Sequence, residues 1–135
     1  FFIMEVNVII ISNNQISIEF WVDIIREELT WNVNVVKTSS LINLHHLLSS
    51  DSIVILDDYF TSPEDDKEII RKSLHIKRIN KSCKIFGVSP CYALDENRTR
   101  DIIVQVERHP FSNELLSSIN NAIESRINNQ KRFAI

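Results

Sequence analysis

One glycine in 135 residues is an unusual scarcity, and it removes several function classes at once. Phosphate-cradling P-loops and dinucleotide-binding turns need two or three closely spaced glycines, so neither can be built from this chain. Three prolines and no compositional bias exclude collagen-like and low-complexity classes. The two cysteines, Cys83 and Cys91, fit no zinc spacing and read as thiols in a reducing compartment. No apolar run approaches the roughly 18 residues of a membrane span. Phe1-Phe2-Ile3-Met4 lacks the basic region and small-residue cleavage site of a secretory signal. A start other than Met is expected of a piece of a longer protein, or of extra residues ahead of Met4. An excess of positive charge is also missing: 15 basic against 18 acidic residues give a net charge of −3. That balance gives no general attraction for polyanions, so direct nucleic-acid binding is not expected.

What is present suits one soluble domain. Hydrophobic residues make up 44% of the chain and charged residues 24%, enough for one core and a wet surface. Val6 to Ile11 and Ile53 to Leu56 are nearly all-apolar runs, as expected of strands covered on both faces. Asn32 to Val36 alternates and reads as a strand nearer an edge, while Lys84 to Val88 and Ile102 to Val106 complete five strands. Between them the spacing changes to a helical one. Ile16 to Leu29 places Phe20, Trp21, Ile24, Ile25 and Leu29 on one face. Ser39 and Ser40 cap a short helix with Leu41, Leu44, Leu47 and Leu48. Ser62-Pro63-Glu64-Asp65 starts a helix carrying Ile69, Ile70 and Leu74. A short helix is expected near Ala93 to Thr99. Ser112 caps a last helix with Leu115, Leu116, Ile119, Ile123 and Ile127 on one stripe. Residues 5–127 form the domain, and 128–135 read as a tail or linker.

Five alternations of strand and helix predict an α/β fold, a five-stranded parallel sheet, doubly wound, in the flavodoxin-like order. In such sheets the site lies at the carboxyl ends of the strands. The residues placed there are Asn13, Asn14, Asp57, Asp58, Ser89 and His109.

These residues carry a resemblance. Asp57 ends Ile-Val-Ile-Leu-Asp, Ser89 ends Ile-Phe-Gly-Val-Ser, and His109 opens His-Pro-Phe-Ser-Asn-Glu-Leu-Leu. From Asn14 to Asp57, Asp57 to Ser89 and Ser89 to His109 the separations are 43, 32 and 20 residues. The layout resembles the receiver domain of two-component response regulators, the CheY-like family, over about residues 5 to 127. The resemblance implies an acidic pair after the first strand, a phosphoacceptor Asp after the third, a hydroxyl after the fourth and Lys-Pro after the fifth. On this chain those positions hold Asn13 and Asn14, Asp57, Ser89 and His109-Pro110. It also implies a cis peptide before Pro110 that turns His109 towards Asp57.

The departures from that pattern carry as much as the matches. Two Asn in place of two acids remove the charges that hold Mg²⁺, a hard cation that prefers carboxylate. His109 replaces the Lys with a shorter group that is mostly neutral at pH 7. The stretch Val104-Gln105-Val106 has no aromatic switch residue. The resemblance therefore implies a degenerate receiver: no enzyme, no cofactor, no metal, and a pocket of Asn13, Asn14, Asp57, Ser89 and His109 emptied of its chemistry. It implies a cytoplasmic signalling domain of a phosphorelay or atypical response regulator that works by protein–protein contact. Its partners would be a response regulator, a histidine kinase or a phosphotransfer protein. A homodimer would form through the face of the fourth helix, fifth strand and fifth helix, near Arg98, Arg100, Asp101, Glu107 and Arg108.

Blander readings stand beside these. Asp57 could be a working phosphoacceptor, or a carboxylate left solvated at a strand end. Asp58 reads as a surface loop acid, and Ser89 as a turn cap before Pro90. His45 and His46 are adjacent and cannot face one ligand on a helix. His75 has no partner motif, and Trp21 and Trp31 read as core or rim. A small flavodoxin-like enzyme remains a third reading, with no nucleophile motif to support it.

Overall fold

The β-branched run after Glu5 forms an interior strand of the sheet, and the helices follow from what its two faces must cover. The structure is a computed structural model and describes residues 6–28, 33–38, 44–46, 48, 52–57, 67–89, 102–107 and 113–132. In chain order the described elements are β1 (Val6–Ser12), α1 (Gln15–Glu28), β2 (Val33–Thr38), a 3₁₀ turn (Leu44–His46), β3 (Ile53–Asp57), α2 (Lys67–Ile79), β4 (Lys84–Val88), β5 (Gln105–Glu107) and α3 (Asn113–Arg132). The strands lie in the order β2-β1-β3-β4-β5, and every neighbouring pair is parallel. The order steps to one side of β1 and then returns to the other, so helices cover both faces.

Each strand of the centre feeds two cores. Val6, Val8 and Ile10 of β1, with Ile53 and Ile55 of β3 and Phe86 of β4, pack under α1 and α3. Helix α1 contributes Ile18, Trp21, Val22 and Ile25; α3 contributes Leu115, Ile119, Ile123 and Ile127. The alternate residues Ile9, Ile11, Val54, Leu56 and Ile85 face Leu44 and the α2 residues Ile69 and Ile76. Burial on both faces is why β1 and β3 read as continuous apolar runs rather than alternating ones.

Several boundaries differ from the sequence expectation. On α2, Leu74 is 39% exposed, and Ile76 takes the inward place. Positions 69, 73 and 76 share one helix face, whereas 74 is turned well away from 69 at 100° per residue. The fifth strand is Gln105–Glu107 rather than Ile102 to Val106. Ile103 is buried against the α2 face ahead of the strand, and Val104 is exposed with its N–H donating to the Ile85 carbonyl at 2.8 Å. Pairing with β4 therefore begins only at Gln105, opposite Phe86. The last helix continues through Arg132, into the segment expected as a tail, because Asn128 to Arg132 contains no breaker. The expected helix starts at Ser39 and Ser62, the helix near Ala93 and the Ser112 cap lie outside the described residues. No helix among the described residues is long and apolar enough to cross a membrane.

Candidate functional site

Parallel pairing brings four strand ends into one row. Ser12 lies opposite Asp57, Asp57 opposite Val88, and Val88 opposite Glu107. Asn13 and Asn14 follow Ser12, and Ser89 follows Val88, so four of the five pocket residues named from sequence gather at the carboxyl edge of the sheet. His109, Pro110 and Asp58 lie outside the described residues, as do Cys91, Trp31, Arg98, Arg100, Asp101 and Arg108.

Asn14 is a helix cap. Its Oδ1 accepts the backbone N–H of Ile16 at 2.9 Å and of Ser17 at 3.2 Å. Its own carbonyl accepts the first α-helical N–H, that of Ile18, at 3.1 Å. These are the donors that a helix start leaves without partners, and Asn is among the best residues to satisfy them. Ser12 supports the cap: its Oγ accepts the Asn14 N–H at 3.1 Å. Asn13 is exposed at the bend between strand and helix.

Asp57 is buried to 1% exposure, and its side chain turns under α1. The parity of β3 explains the direction: Ile53, Ile55 and Asp57 share the face covered by α1 and α3. There the indole Nε1–H of Trp21 donates to Asp57 Oδ2 at 2.7 Å, a buried bond across 36 residues. Trp21 itself is fully buried and meets Phe20 edge-on, ring centroids 5.4 Å apart. The expectation of a solvated carboxylate at the strand end gives way to a buried, donor-bound one. Ser89 is also buried, one residue past the strand. His46 and His75 are both exposed.

Sequence reasoning missed Trp21 and Ser12. The signal for Trp21 was available in principle: an indole on the inner face of a helix carries an N–H that needs an acceptor when buried. The chain supplies one at the end of β3.

The receiver pattern implies a Mg²⁺ ion at this edge, and the described residues do not fit one. The side-chain oxygen of Asn14 already accepts two N–H groups and its carbonyl a third, and Asp57 accepts the indole N–H of Trp21. Among the described residues no three His, Cys, Asp or Glu side chains converge.

No family model matches the sequence, and no curated protein does so either. Solved structures do match in fold. A response regulator from Thermotoga maritima superposes with a TM-score of 0.65 over 90% of this chain and 99% of its own, at 13% identity. A response regulator from Colwellia psychrerythraea gives 0.64 over 89% and 97%, at 17% identity. A protein described as pilus assembly-related, from Burkholderia pseudomallei, gives 0.63 over 90% and 89%, at 13% identity. With the strand order, the two-faced core and an Asp closing the third strand, these matches establish that the chain has the CheY-like receiver-domain fold of response regulators.

Proposed function

We propose that this chain is a receiver-like signalling domain whose magnesium and phosphorylation pocket is degraded, and that it acts by protein–protein interaction. One observation carries the reading. The residues at the acid-pair and acceptor positions are occupied internally, Asn14 by the start of α1 and Asp57 by Trp21. An acyl phosphate on Asp57 would need its carboxylate exposed and its added charge compensated by a cation or preorganised donors. In this reading the pocket of Asn13, Asn14, Asp57, Ser89 and His109 has a structural role, and His109 is proposed as a pH-sensitive stand-in for the Lys of the pattern; the bonds of Asn14 and Asp57 support it.

The proposed partners are a response regulator, a histidine kinase or a phosphotransfer protein of a cytoplasmic phosphorelay. A second copy could dock through the face that includes β5 and α3. Support for that face is the short edge strand β5, with Val104 just ahead of it 56% exposed. Residues 5–127 would form the working unit.

Intact-mass analysis after treatment with acetyl phosphate and Mg²⁺ tests the reading. The expected result is no stable adduct of one phosphoryl group. Substantial phosphorylation that Asp57→Ala abolishes would establish a working receiver instead.

A further inference from the structure

We propose that copies of this chain associate head to tail, the acidic outer face of α1 on one copy seated against the basic outer face of α2 on the next. The contact uses neither the strand-end pocket nor the face of β5 and α3.

Charge is unevenly placed along the sequence. Residues 67–84 hold seven Lys or Arg and one Glu, whereas the rest of the chain holds eight Lys or Arg and 17 Asp or Glu. The fold turns that imbalance into two stripes. On α1, opposite its buried side, Ile16, Glu19, Asp23 and Glu27 follow one another at three- and four-residue steps, and all four are exposed. On α2, again opposite the buried side, Arg71, Leu74 and Arg78 are exposed at the same steps, with Lys81 exposed just past the helix end. Charges of the other sign are few here. Arg26 lies on the flank of the α1 stripe, and Glu68 is engaged by Arg71, Nε to Oε1 at 3.0 Å.

Each stripe also carries an apolar side chain. Among the described residues the exposed large hydrophobics are Ile16, at 71%, Leu74 and Val104, and the first two stand in these stripes. A lone exposed apolar residue is ordinary. Two of them, one among acids and the other among bases, make complementary faces, on which apolar meets apolar and opposite charges lie alongside. The partner that the α2 stripe fits is an acidic helix face with an apolar residue in it, and this chain presents one itself.

Helices α1 and α2 pack on opposite faces of the sheet, so the two stripes lie on opposite sides of the molecule. The contact is therefore heterologous: each copy offers one stripe to the copy before it and the other to the copy after it, and no two-fold axis closes the assembly at two. Exposed ion pairs are individually weak and screened by salt, and a contact between two helix faces is small. The assembly is accordingly weak, reversible and salt-sensitive.

Sedimentation equilibrium of the intact chain, over a range of protein concentrations and in about 0.05 M and about 0.5 M salt, tests this. Wild type should pass beyond the mass of a dimer at high concentration, and the association constant should fall at least about tenfold at the higher salt. Asp23→Lys with Glu27→Lys reverses the α1 stripe, and Arg78→Glu with Lys81→Glu reverses the α2 stripe. Each double variant alone should associate at least about tenfold more weakly than wild type. Mixed in equal amounts they should associate again, because each reversed stripe then meets an unreversed stripe of opposite sign. Circular dichroism checks that both variants are folded, and Arg78→Ala with Lys81→Ala, which puts no acid at the end of α2, should weaken association as well. A wild type that stays monomeric at both salts overturns the proposal. So does association that stops at a dimer or is the same in both double variants, which would favour the β5 and α3 face. Loss of association in both variants that mixing does not restore also overturns it.

Discussion

The indole of Trp21 and the carboxylate of Asp57 meet 2.7 Å apart inside the molecule, joining the middle of α1 to the last residue of β3. A hydrogen bond to a charged group contributes about 1.5–3 kcal/mol net, and removing one partner leaves the other buried without it. Trp21→Phe keeps most of the ring in the core and deletes the donor. We expect it to destabilise the protein by about 2–3 kcal/mol in urea unfolding. Asp57→Asn keeps an acceptor oxygen at the same place and should cost less. A double-mutant cycle between Trp21→Phe and Asp57→Leu should give a coupling of at least about 1 kcal/mol. Additive effects would mean that the bond contributes nothing of its own.

Asn14 makes a second, separable prediction. Its Oδ1 caps Ile16 and Ser17, so Asn14→Ala should lower stability by about 1 kcal/mol. Asn14→Asp preserves the cap and adds a negative charge at the positive end of α1, so it should match or exceed wild type. The same variant restores one acid of the receiver pattern. Its oxygens remain directed at the helix start, and sub-millimolar Mg²⁺ binding is not expected to return. Calorimetric titration with Mg²⁺ checks this, and tight binding by Asn14→Asp would show that charge alone had been missing.

The architecture was legible where one physical signal dominated. Val6 to Ile11 and Ile53 to Leu56 read as strands covered on both faces, because their apolar residues do not alternate. The amphipathic faces of α1 and α3 followed from spacing. Leu74 and Ile102 misled, because hydrophobicity alone does not fix which way a residue turns. Helix phase turned Leu74 outward, and the pairing register with Phe86 moved β5 to Gln105. The site was half legible. Strand ends placed Asn14, Asp57 and Ser89 together, since parallel pairing fixes that edge. The bond from Trp21 to Asp57 was hidden because it depends on two parities at once, that of β3 and that of α1. Neither could be set relative to the other before the helix was docked.

Ser73 is a defect that should be correctable. It lies fully buried on α2 near Ile69 and Ile76, and its Oγ has no hydrogen-bond partner among the described residues. A desolvated hydroxyl without a partner costs about 1–3 kcal/mol, and Ala is also the better helix former. Ser73→Ala should therefore raise stability by about 1 kcal/mol, against the usual direction for a buried substitution. Loss of stability in thermal or urea unfolding would mean that the hydroxyl is satisfied by water.

The last prediction concerns alkaline pH and the opposite end of the sheet. Lys77, in the last turn of α2, donates from Nζ to the carbonyl oxygens of Lys81, at 3.2 Å, and of Cys83. Arg126 of α3 reaches the same turn, its Nη2 donating to the Ser82 carbonyl at 2.8 Å. Burial pushes the Lys77 ammonium below its ordinary pKa, and the positive charge of Arg126 adds to that. Burial pushes the Cys83 thiol up, against the pull of Lys77 and Arg126. The two groups have opposite effects on stability. For Lys77 the unfolded chain holds more protons between the folded and unfolded pKa values, so stability rises as pH climbs through that window. For Cys83 the folded chain holds more protons above the ordinary thiol pKa of about 8.5, so stability falls. The wild-type alkaline slope should therefore lie between those of the two variants. Cys83→Ala leaves the rising contribution of Lys77, and Lys77→Met leaves the falling contribution of Cys83. Urea unfolding of all three proteins between pH 7 and about 10.5 reads the slopes directly. Parallel curves would mean that the two groups titrate alike in the folded and unfolded chain. The same burial predicts slow alkylation of Cys83 at pH 8, rising to the rate of an exposed thiol only in urea.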